Sequence, residues 1–150
     1  MKSANVKAWL AAVSYLLLAA PAGLSFAHTQ DGSLGAPTAA TDYYQITCSD
    51  DGSGVPASMM VQVQHRGPAA VPVSVVVHRG TAATATVDTV GGDTTPSPLV
   101  FVNGNDGVYN VFVTKAGGGP VNYTLSFHCM TGQNGGGLHT GTTIVFRQNQ

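Results

Sequence analysis

Apolar residues in this chain recur mostly at every second position, the spacing of strands that bury one face. In Tyr43–Ser49 the alternation sets Tyr44, Ile46 and Cys48 on one side. Met59–His65 turns Met59, Val61 and Val63 inward and Met60, Gln62 and Gln64 outward, and Val71–Arg79 aligns Val73, Val75 and Val77. Ala83–Val90 alternates weakly and is rich in Thr, which predicts an edge strand. Leu99–Val102 is a short apolar strand, and Thr142–Arg147 is the last. Val108–Lys115 and Val121–Met130 read as a hairpin across the glycine-rich AGGGPV, with Val121, Tyr123, Leu125, Phe127 and Cys129 sharing a face.

The breaks between these runs are turn-formers: DDGSGVP, RGPAA, GGDTTPSP, NGNDG and TGQNGGGLHTG. About eight strands and no helix follow, which predicts an all-β chain. The expected architecture is an antiparallel two-sheet sandwich, immunoglobulin-like or jelly-roll, closed by one disulfide.

The first 27 residues follow a different rule. Lys2 and Lys7 precede an apolar run from Ala8 to Ala20, then Pro21 and Gly23, with Ser25 and Ala27 at the −3 and −1 positions of a cleavage site. The run is shorter than the ~20 residues that cross a bilayer, so it reads as a signal peptide and not an anchor. Cleavage between Ala27 and His28 sends residues 28–150 to the periplasm or the extracellular medium. Within them, residues 28–41 are small and polar and read as a flexible N-terminal arm, leaving 42–150 for the β-domain.

Export changes the reading of the two cysteines. In an oxidising compartment Cys48 and Cys129 are expected to form a disulfide, and both fall in the inward phase of their strands. Charge changes less. Residues 28–150 carry four Lys or Arg against seven Asp and no Glu, a net charge of −3 with neutral histidines. No basic patch is available to neutralise phosphates, so nucleic acid is not an expected partner.

Candidate chemistry is sparse. No G-x-S-x-G nucleophile elbow occurs, and every carboxylate is an aspartate in a turn or at a strand end, so an enzyme is not the favoured reading. SDDGSG (49–54) and NGNDG (103–107) are oxygen-rich turns that suggest calcium, although neither matches an EF-hand loop. Of the five histidines, His65 and His78 end strands beside arginines, and His128 is an outward residue next to Cys129. His28 is different: after cleavage its α-amine and imidazole form a chelate that favours Cu(II) when a further imidazole joins. His139, in a glycine-rich loop, is the expected second ligand. Copper is thus the first cofactor these residues suggest and calcium the second.

Two resemblances accompany these residues. Asp106–Phe127 resembles the end of the bacterial pre-peptidase C-terminal type of domain through Tyr109, Val111 and Val113, then Asn122, Tyr123, Thr124 and Leu125. That resemblance implies a non-catalytic sandwich that binds substrates or assists secretion. A mature N-terminal histidine is similar to that of secreted copper-binding sandwich proteins, which implies a histidine-brace-like site. Together these readings predict an exported binding or surface-assembly module with a protein or surface partner, a second copy of itself among them, and a copper-binding protein as the alternative.

Overall fold

The computed structural model describes residues 28–68 and 70–150. The signal-peptide reading, Ala27 included, lies outside them. Nine strands follow in chain order: β1 (His28–Leu34), β2 (Thr41–Ser49), β3 (Ser58–His65), β4 (Val73–Arg79), β5 (Ala82–Asp88), β6 (Val100–Asn103), β7 (Gly107–Lys115), β8 (Val121–Met130) and β9 (His139–Gln148). The helical content of the described residues is a single 3-10 turn at Gln133–Gly135.

All pairings are antiparallel, and the strands run β5-β4-β7-β2-β9-β8-β3-β6, with β1 added to β8. The sheet curls until β3 and β6 lie against β4 and β5, so that it nearly closes on itself. Period-two burial is why it curls. Tyr44, Ile46, Met59, Val61, Val63, Val75, Val77, Tyr109, Val111, Val113, Tyr123 and Leu125 all point inward and are almost entirely buried. The Cys48–Cys129 disulfide forms inside this core, joining β2 to β8 with Cα atoms 5.5 Å apart.

Three expectations change. Residues 28–34, read as part of an arm, are paired with β8 along their whole length. Their apolar signal is a single Leu34, because backbone pairing and not side-chain burial holds most of this strand. Val108–Lys115 and Val121–Met130 are strands but not a hairpin. Both edges of β7 are taken by β2 and β4, and those of β8 by β3 on one side and by β1 and β9 on the other. The connecting glycines instead carry the chain across the sheet, where Gly119 N donates to Ala36 O and buried Lys115 Nζ donates to Gly35 O (2.5 Å) and Gly119 O. Two aspartates are buried, against the expectation that all are solvated: Asp42 and Asp88. Each is surrounded by donors. Asp88 accepts from the His65 and Val90 amides, and Asp42 from the Gln150 amide and the Tyr123 hydroxyl.

Candidate functional site

One edge of β8 is shared by two strands. β1 pairs with it from Val121 to Phe127, where His28 is the last partner, and β9 pairs at Cys129 and Met130, where His139 is opposite Met130. The two strands therefore meet at His128. This junction brings together three histidines that stand 11 to 111 residues apart in sequence. The His128 ring centroid lies 4.3 Å from that of His139 and 6.0 Å from that of His28. His28 also stacks on Phe127 at 5.9 Å.

His128 is half-buried at the centre of this group, and its Nδ1 is buried with no hydrogen-bond partner. Burial first, then the neighbouring His139 and His28, pushes its pKa down to about 4, so the ring is neutral at pH 7. A neutral imidazole with an unused nitrogen is the form that ligates a metal. Among the described residues, however, no group of three or more His, Cys, Asp or Glu is already set around one metal-sized point. His128 and His139 form the closer pair, and His28 lies farther out, stacked on Phe127.

Of the residues singled out by sequence, His28 and His139 are thus both at the site, on either side of His128. His128, by its strand phase alone, is a plain surface residue. Its outward phase was legible, but the register that sets two other histidines beside it was not.

The calcium candidates are occupied by the protein's own groups. Asp50 Oδ1 accepts from the amides of Gly52 (2.8 Å) and Gly54 (3.1 Å), and Asp51 Oδ1 from that of Ser53 (3.0 Å). The Ser53 hydrogen bonds hold the Asp51 carboxyl below the usual carboxylate range. In the second turn the carbonyls of Asn105 and Asp106 accept from the Arg79 guanidinium, a cation already in place. The first turn is thus closed by aspartate-to-amide bonds within it, and the second is held by the Arg79 side chain.

A second buried polar group lies inside the sheet. Tyr123 donates to Asp42 Oδ2 at 2.6 Å, so the Tyr44 hydroxyl, 2.5 Å away, donates to Tyr123. Burial and these two partners raise the Tyr123 pKa far above its ordinary value. The hydroxyls are inside the core, closed to a substrate, and the chain Tyr44–Tyr123–Asp42 is a structural network. Comparison of the chain with protein-family models, with curated proteins and with solved structures finds no match.

Proposed function

We propose that residues 28–150 form an exported, non-catalytic binding domain, a two-sheet sandwich of immunoglobulin or jelly-roll type, that takes up copper where β1, β8 and β9 meet. Removal of the leader after Ala27 frees the His28 α-amine. Amine and imidazole then chelate one ion, and His128 and His139 supply two further imidazole nitrogens. Such a nitrogen-rich set favours Cu(II) over the other common divalent ions. The observation that carries the reading is the orphaned, buried Nδ1 of His128 with an imidazole on each side of it.

The test uses protein whose N-terminus is verified as His28 by intact mass, titrated with Cu(II) against a chromogenic chelator. Sub-micromolar binding of one ion is expected. It should weaken when a single alanine precedes His28 and disappear in His128→Ala. Equal affinity in wild type and in a variant lacking all three histidines overturns the reading. A surface-assembly role has a candidate contact point in β1, whose strand pairing is to β8 on one edge. Oligomers that form regardless of chelator would favour it.

A further inference from the structure

The register around the histidines brings two methionines to the same face, Met60 half-buried and Met130 buried. Met60 on β3 is directly opposite His128, and Met130, two residues along β8, is directly opposite His139 on β9. Side chains two apart on a strand share a face, as do directly paired residues. His and Met therefore alternate over four adjoining positions, Met60 and His128 in one pair, Met130 and His139 in the next. Met59, next along the chain, points the other way and is fully buried in the core. Met60 is half-buried, and its Sδ presses against Gly135 (φ 75°), where a Cβ would collide with it. Phe101, across from Met60 on β6, adds an apolar wall.

We propose, on the strength of the copper reading above, that this face holds copper in its Cu(I) state, ligated by His128, His139 and the thioethers of Met60 and Met130. Thioethers are soft, neutral donors that carry no proton to lose, and mixed thioether and imidazole sets select Cu(I) over Zn(II) or Cu(II). A monovalent ion also costs less than a divalent one to bring beside Phe101 and half-buried side chains. Methionine is unbranched with three rotatable bonds, so the Met60 sulfur can leave Gly135 and swing to the imidazoles.

Silver(I), a redox-inert soft ion with the same charge and the same filled d shell as Cu(I), serves as the probe. It is added to His28-terminated protein carrying ¹³C-labelled methionine methyls, in parallel with Cu(I) competition against bicinchoninate under argon. The methyl signals of Met60 and Met130 are expected to shift while that of Met59 stays, an internal control for unfolding. Met60→Leu should weaken Cu(I) binding about tenfold or more and leave Cu(II) binding within about twofold. If Cu(II) binds the histidines but silver moves neither methyl, the thioether assignment is overturned and the copper reading stands. If copper binds in neither oxidation state, both are overturned.

Discussion

The hydroxyl end of the Tyr123 ring occupies the space that a Cβ on Gly32 would need. Gly32 is opposite Tyr123 in the β1–β8 ladder, so the absent side chain lets the tyrosine reach under β1 toward Asp42. Gly32→Ala forces either the ring or the strand to move. A cost of about 1–3 kcal/mol is expected, concentrated in β1. Amide hydrogen exchange should show faster opening of residues 28–34 with the β3–β8 ladder unchanged, and equal protection of β1 would contradict the contact.

The hydroxyl network makes an ordered pair of expectations. Tyr123→Phe takes a donor from a buried carboxylate and an acceptor from Tyr44 together, and should cost ~2–4 kcal/mol. Tyr44→Phe removes only the outermost donor and should cost ~1 kcal/mol. Urea denaturation of the two variants measures both. If Tyr44→Phe is the more damaging, the proton order from Tyr44 through Tyr123 to Asp42 is wrong.

Acid should loosen the fold through His128. Its imidazole titrates at about 4 in the folded chain and near ~6.5 when unfolded, so unfolding takes up a proton between those values. Its stabilising contribution is complete above the unfolded pKa and is lost as pH falls toward the folded one. Because the ring is only half-buried, the loss is on the order of 2 kcal/mol. Melting temperatures taken with chelator present, at about pH 7 and about pH 4.5, should differ less in His128→Gln than in wild type. Identical differences would remove His128 as the cause.

Much of the fold was legible because burial here follows strand phase. Alternation alone turns Tyr44, Ile46, Met59, Val61, Val63, Val75 and Val77 inward, and each is buried. The two cysteines shared that phase, so their bridge was legible as well. Pairing partners were not. β1 carries one apolar residue in phase with the core and is held by a ladder whose other half begins near residue 121. Asp42 looked solvated because its donor, Tyr123, is 81 residues away. At the candidate site, cleavage chemistry pointed to His28 and loop position to His139. His128 needed the register of three strands, a long-range property that no local pattern encodes.

The disulfide is placed where the sheet is weakest. Cys48 is opposite Thr142 and Cys129 opposite Thr140, so the bridge passes from β2 to β8 across the start of β9. Only two residue pairs join β9 to β8, while β9 and β2 are paired over most of their length. A crosslink at such a seam restrains an angle more than a length. It ties β2 to β8 directly where the β8–β9 ladder between them is shortest. His128 and His139 straddle the same seam, so opening it would separate them. The bridge inside the core and the two imidazoles outside it thus lie on one seam, on opposite sides of the same short β8–β9 ladder.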